Sequence, residues 1–270
     1  MSLLLPRRLL VSLGAEQFAM ILQTSFTKRI QVKHQANFAT ASEQPWKASL
    51  QQLEQQLEAL KLPINTPLSI TLASDLVRYL ILPSQQVAMS ASEKNGYAQA
   101  AFREVYGSIA ESWRISLDDV PPNQPMLACA IDQSFYEALE KLANKYQLKT
   151  NTLQPYLMTT YNRLFPHIQG SNATLVVIEP SRMLVVNLQK GVCKQVRCEK
   201  YGSDWQVVLQ QMLSRDVLLT DNPSKELMLY APAHKNATFS LSQDWSLARL
   251  GAAIKHNVNH PAYAMLEALQ

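Results

Sequence analysis

Two stretches of this chain run through the same order of elements, and that repetition restricts its fold more than any single motif. The first opens with a hairpin, Leu9-Leu10-Val11-Ser12-Leu13-Gly14-Ala15-Glu16-Gln17-Phe18-Ala19-Met20-Ile21-Leu22, whose turn carries a glycine. Thr27 to His34 then alternates apolar and polar residues, as a half-exposed third strand does. Gln44-Pro45 introduces a helix with Leu50, Leu53, Leu57 and Leu60 on one stripe, and Leu68 to Leu72 is the strand after it. The second stretch has strands at Ala173 to Ile178, Arg182 to Leu188 and Gly191 to Cys198, with turns at Glu179-Pro180-Ser181 and Gln189-Lys190-Gly191. A helix capped by Ser203 or Asp204 and a strand at Leu227 to Tyr230 complete it. The pattern is thus βββαβ twice, without likeness between the two sequences.

Between the repeats lie a strand from Leu76 to Pro83 and a helix with Ser90 as its N-cap candidate. A strand at Trp113 to Leu117, a turn at Pro121-Pro122-Asn123-Gln124, a buried strand at Met126 to Ile131 and a helix capped by Asp132 follow. Beyond Ala233 the pattern breaks. Leu247 to Ile254 and Ala262 to Leu269 read as two short helices joined by a mobile Asn-His-Pro stretch, with the tail packing on the second half.

The 270 residues, 47% of them hydrophobic, suffice for one large or two subdivided domains, which excludes a disordered or collagenous chain. Twenty-five basic against 21 acidic residues give a net charge of +4 without any basic run, so the footprint of nucleic-acid binding is missing. Cys129, Cys193 and Cys198 lack C-x-x-C spacing and read as single buried thiols in a reducing compartment. Cys193 and Cys198, five apart on one strand, are expected on opposite faces. No stretch has the roughly 18 apolar residues of a membrane helix. The opening segment is broken by Pro6-Arg7-Arg8, too early for a secretion signal, and the short run after it reads as a strand rather than a twin-arginine leader.

Two βββαβ units flanking an inserted αβ subdomain resemble the actin-like ATPase, RNase H-related fold. Leu127-Ala128-Cys129-Ala130-Ile131-Asp132, the helix to Tyr146, and Gln147-Leu148-Lys149-Thr150-Asn151-Thr152-Leu153-Gln154-Pro155 resemble a strand, helix, strand passage of PilM-type proteins. The passage is also similar to the cytoplasmic domain of GspL from type II secretion. The expected class is therefore α/β (α+β): a first RNase H-like subdomain over 7–75, an inserted αβ subdomain over 76–165, a second RNase H-like subdomain over 172–232 and a tail over 233–270.

In nucleotide-binding members of this fold an Asp-x-Gly turn opens each half, its amides wrapping phosphate and its aspartate orienting magnesium. The resemblance puts Ser12 and Gly14 in the first set of slots and Val177 and Glu179 in the second. Valine cannot ligate a metal, and a glutamate in the glycine slot repels phosphate. A phosphate site degenerate at these four positions is expected, with no cofactor and no metal. A one-residue shift would make Glu179 the missing acid, so weak magnesium-ATP binding stays open.

Other chemistry-bearing residues have plainer readings. His256 and His260 have i, i+4 spacing, but Asn257, Asn259 and Pro261 argue for a polar loop; His34, His167 and His234 have no ligand partner in sequence. Ser74-Asp75 and Asp118-Asp119 read as turn residues. Tyr156, Met158, Tyr161 and Phe165 form either core or a partner-binding ridge, with core favoured, as it is for Trp113 and Trp205. Trp46 reads as a staple against its own helix.

The resemblance implies a cytoplasmic, non-catalytic scaffold of a type IV pilus or type II secretion platform, peripheral at the inner membrane through its partners. It would bind the cytoplasmic tail of a PilN-like membrane protein, by β-addition or in a hydrophobic groove between subdomains. An assembly ATPase is a further candidate partner, neither nucleic acid nor direct membrane insertion is expected, and a homodimer stays open. With no membrane helix before Gln270 the chain looks more like PilM or MshI than GspL. The alternatives are a functional ATPase of the same fold and a truncated GspL cytoplasmic domain.

Overall fold

The computed structural model describes residues 7–39, 43–219, 224–234, 237–238, 241, 245–251 and 261–269. β1 (Arg7–Leu13), β2 (Gln17–Thr24) and β3 (Ile30–Asn37) form an antiparallel meander. β4 (Pro67–Leu72) then lies parallel to β1, and β8 (Lys149–Pro155) parallel to β4, giving a first sheet of order β3-β2-β1-β4-β8. The second sheet repeats this with β9 (Ala173–Ile178), β10 (Arg182–Gln189), β11 (Val192–Lys200), β12 (Glu226–Tyr230) and β13 (Ser246–Arg249), in the order β11-β10-β9-β12-β13. A third, antiparallel sheet of order β5-β7-β6 is built from β5 (Arg78–Leu82), β6 (Trp113–Leu117) and β7 (Met126–Asp132).

Burial explains the helices that cover these sheets. α1 (Lys47–Ala59) buries Leu53 and Leu57, and α3 (Gln133–Lys145), capped by the Asp132 carboxylate, buries Phe135, Leu139 and Leu142. These side chains share one core with Leu9, Val11, Leu13, Phe18, Met20 and Leu22 of the first sheet. The core continues into the second sheet through Leu175, Leu184 and Leu188, and into α4 (Tyr156–Ile168) through Leu157, Leu164 and Ile168. α5 (Trp205–Leu219) covers the opposite side of the second sheet with Trp205, Leu209 and Leu213 against Val176, Ile178, Met183 and Val185. α2 (Ala91–Tyr106) starts in a reciprocal Ser90/Glu93 capping box and packs Ala98 and Phe102 on the third sheet.

Four expectations are corrected. β8 does not belong with the inserted segment 76–165: its backbone is hydrogen-bonded to β4, so the third sheet alone, with α2, stands apart from the first sheet. The expected helix from Leu247 begins instead as β13, because a parallel ladder with β12 offers Ser246 to Arg249 backbone partners that an isolated turn of helix lacks. The tail divides between the halves: β13 joins the second sheet, whereas α6 (Pro261–Glu267) packs chiefly on the first, its Leu266 sharing a cluster with Leu10, Ala19 and Ile21 of β1 and β2. Cys193 and Cys198 share a face: the ladder pairs Leu188 with Cys193 but Asn187 with Gln195, so Lys194 is an extra, bulged residue that reverses the alternation. Leu184 and Leu188, their partners on β10, both face the main core.

Candidate functional site

The two turns that would cradle phosphate in this architecture are filled by the chain's own groups. In β1 the alternation puts Leu9, Val11 and Leu13 into the main core and turns Ser12 to the other face. There its hydroxyl, wholly buried, donates to Met265 Sδ of α6 at 3.4 Å, and the Gln17 amide reaches the same sulfur at 3.6 Å. Gly14 closes the hairpin by donating its N–H to Gln17 O at 2.9 Å. The next amide, Ala15 N–H, donates to Asp75 Oδ2 at 3.0 Å, just beyond β4. Burial raises the Asp75 carboxyl above the usual aspartate range, with the Ala15 bond pulling the other way.

In the second half Val177 is a core side chain of β9, opposite Leu184 and Tyr230. Glu179 follows the strand and its backbone N–H closes the turn onto Arg182 O at 2.9 Å. Its carboxyl crosses to the first half, where Oε2 accepts from Ser74 N–H at 2.8 Å and Oε1 contacts Ser74 Oγ at 2.6 Å. The Ser74 hydroxyl also meets Tyr79 Oη of β5 at 3.1 Å, and the Tyr201 hydroxyl donates to the Glu179 carbonyl. Burial drives the Glu179 carboxyl up to about 8, although both Ser74 bonds favour the charged form. Lys200 of β11 pairs with Glu16 at 3.6 Å, a further tie between the halves.

Sequence reasoning therefore finds Glu179 but not its partner: Ser74, which reads as a turn residue, carries the junction, and the adjacent Asp75 holds the Ala15 amide of the first turn. The signal was present in the Ser-Asp pair directly after a buried parallel strand. None of Ser12, Gly14, Val177 or Glu179 lines an open cavity described below.

Open concavities lie elsewhere: the largest of those described, about 790 Å³, is bordered by Asn172, Asn187, Lys190 and Asp216 of the second half, and a more apolar groove lies beside the third sheet. A cavity of about 370 Å³ sits between the third sheet and the first half, bounded by Arg114, Leu127, Cys129, Tyr136 and Leu153. A second, of about 350 Å³, extends it past Tyr161 and Phe165 to Lys190 and Cys193, and Asp118, Leu127 and Met158 border both. Of the helix residues singled out in sequence, Tyr156 is core whereas Met158, Tyr161 and Phe165 line this groove. Arg114 stacks over the Tyr136 ring at 3.9 Å. Asp118 Oδ1 is buried without a hydrogen-bond partner, and burial pushes its carboxyl up to about 6. Burial also raises Cys129 to about 11 and Cys193 to about 12, so both are neutral thiols, poor nucleophiles at neutral pH.

The remaining candidates resolve simply. Trp46 stacks on Phe135 of α3, centroids 5.4 Å apart, in the cluster that also holds Leu53 and Leu57 of its own helix. Trp205 is core, and Trp113 packs edge-on to Tyr106. His34 contacts Gln52 Nε2 at 3.1 Å and His234 lies against Trp205. His256 and His260 lie outside the described residues. Among the described residues no three His, Cys, Asp or Glu side chains are placed to hold a metal ion, and no helix is long and apolar enough to cross a membrane.

Two five-stranded sheets of matching order, each an antiparallel meander continued by two parallel strands, with a third sheet inserted in the first half, define the actin-like ATPase fold. Solved structures bear the assignment out. The cytoplasmic domain of EpsL, an inner-membrane component of the type II secretion system of Vibrio cholerae, is similar over 97% of this chain and 93% of its own, with TM-score 0.60 and 10% identity. A Bacteroides thetaiotaomicron protein with an actin-like ATPase fold and unknown function gives TM-score 0.58 at 11% identity, covering 84% of this chain and 81% of that one. The PilM-PilN type IV pilus biogenesis complex gives TM-score 0.58 at 13% identity, over 83% and 80%. No protein-family model and no curated protein matches the chain. At these identities the likeness is one of fold.

Proposed function

We propose that this chain is a non-catalytic docking platform of a type II secretion or type IV pilus machine, holding the cytoplasmic tail of a membrane partner in the groove between the third sheet and α4. The observation that carries the reading is the contrast between the two sites. At the junction of the halves, the amides of Ala15 and Ser74 are already taken by Asp75 and Glu179. With those amides taken and the two carboxyls filling the seats, neither backbone donor is left free there to wrap a polyphosphate. The groove, by comparison, is open and mostly apolar, with a few polar groups, the make-up of a peptide-binding site. The fold likeness to EpsL and to PilM in its PilN complex supports a place at the inner membrane, reached through partners. On this reading the tail's apolar side chains lie over Leu127 and Met158.

The test is calorimetric titration of the chain with a synthetic cytoplasmic tail of a PilN-like protein and, separately, with magnesium-ATP. Saturable binding of the tail, lost in Met158→Glu, is expected, with no heat from the nucleotide. Tail binding unaffected by Met158→Glu would move the site elsewhere. Micromolar nucleotide binding would restore the ATPase reading.

A further inference from the structure

Glu179 does more than fill a degenerate slot. Its two carboxyl oxygens are both engaged by one residue of the other half, 105 positions away, while the Tyr201 hydroxyl pins its own carbonyl. The turn that bears it is further closed by the Glu179 N–H to Arg182 O bond. The acid is thus a short, rigidly mounted bridge across the line along which the two sheets meet. We propose that Glu179 is a proton-operated clasp between the halves: neutral, it holds the β9–β10 turn against Ser74; ionised, it lets the two segments part.

The hydrogen-bond inventory allows both states, at different cost. The contacts as they stand let Ser74 donate to both oxygens, N–H to Oε2 and Oγ–H to Oε1; with the carboxyl neutral, its own proton on Oε1 would donate to Ser74 Oγ instead and the Ser74 hydroxyl would donate to Tyr79 Oη. No charge is buried. When the proton leaves, the Ser74 hydroxyl must turn to donate to Glu179 and the Tyr79 hydroxyl to donate to Ser74. The bonds survive, but a full negative charge is enclosed. The charged and titratable groups facing it are Asp75 from the loop after β4, Arg182 from β10, Tyr79 from β5, Cys198 from β11, Tyr201 beyond β11 and Tyr156 from α4. Asp75 repels it and Arg182 attracts it; the tyrosines and the thiol are held neutral, their own acidities lowered by burial. One cation set against one like charge leaves the carboxylate undercompensated, and the remedy is water, which enters only if the segments separate. The Glu179 carboxyl is raised to about 8, which puts this change near neutral pH.

The experiment is hydrogen–deuterium exchange on the full chain between about pH 6.5 and about pH 9.5, corrected for the intrinsic pH dependence of exchange. Amides around Ser74 and Glu179 are expected to lose protection about tenfold across that range, while α2 and its sheet do not change. Glu179→Gln, which keeps the shape and cannot ionise, should abolish the change. Asp75→Asn, which removes the repelling charge, should move it to lower pH. A wild-type protein whose Ser74 segment is equally protected throughout, or a Glu179→Gln variant with the same pH profile, overturns the proposal. If Glu179→Gln does not fold, the direction of the Asp75→Asn shift decides: no shift, or one to higher pH, also overturns it.

Discussion

Both carboxyl oxygens of Glu179 are held by Ser74 of the other half, at 2.6 and 2.8 Å. The linkage sign follows from the raised acidity constant. A carboxyl near 8 in the folded chain and near 4.5 when unfolded binds its proton more tightly when folded. Its contribution to stability is complete below about pH 4.5, is lost as pH rises toward about 8, and is constant beyond. Denaturant midpoints measured across that window should fall with pH in the wild type, by about 1.4 kcal/mol per unit at most from this group. Glu179→Gln should flatten that part of the curve.

Two glycines that look alike in sequence should respond differently to alanine. A Cβ on Gly14 would meet Gln17 Cγ at 3.0 Å, which side-chain rotation relieves, and Ala73 Cβ at 3.2 Å, which only a small backbone shift relieves. The expected cost is about 1 kcal/mol, with magnesium-ATP titrations unchanged. Gly191 has φ of +77° and its Cβ would come within 2.6 Å of Gly170 N, a clash with backbone. Gly191→Ala should cost about 3 kcal/mol and, since Gly191 lines the groove, weaken tail binding as well; urea midpoints and tail titrations measure both.

Met265 is 1% exposed and accepts from Ser12 and Gln17. Met265→Ala should cost about 3 kcal/mol in thermal or urea unfolding, by opening a cavity between α6 and β1. A loss well under about 1 kcal/mol would mean that α6 is a loosely held cover.

Asp118 carries an unpartnered oxygen in the groove and titrates near 6. Since its folded constant is raised by burial, the stability it confers is present below the ordinary aspartate value of about 4 and lost through about pH 6. Asp118→Asn should therefore raise the melting temperature at pH above about 7 and give no gain near pH 4. An equal gain at both would show that the charge is not the cause.

The sheets were legible because their signals are local. Strands β6 and β9 fall where alternation or an unbroken apolar run puts them, and Asp132 caps α3 as its position predicts. What escaped is set by partners distant in sequence. Ser246 to Arg249 becomes a strand because β12 is beside it, and Leu247 and Leu250 would suit a helix equally well. One bulged residue, Lys194, reverses the facing of everything before it on β11, and no residue type announces a bulge there. At the junction, Glu179 was visible as a misfit in a phosphate turn, whereas its engagement by Ser74 required both halves to be in place.

α6 completes the first sheet, yet it is made long after that sheet: Ser12 and the sulfur that receives its hydroxyl are 253 residues apart. At roughly 5–20 residues per second on the ribosome, the outer face of β1 and β2, with Leu10, Ala19 and Ile21, waits on the order of ten seconds or more for its cover. The first half thus stays unfinished until the second has been made, with that hydrophobic face not yet covered by α6 in the interval.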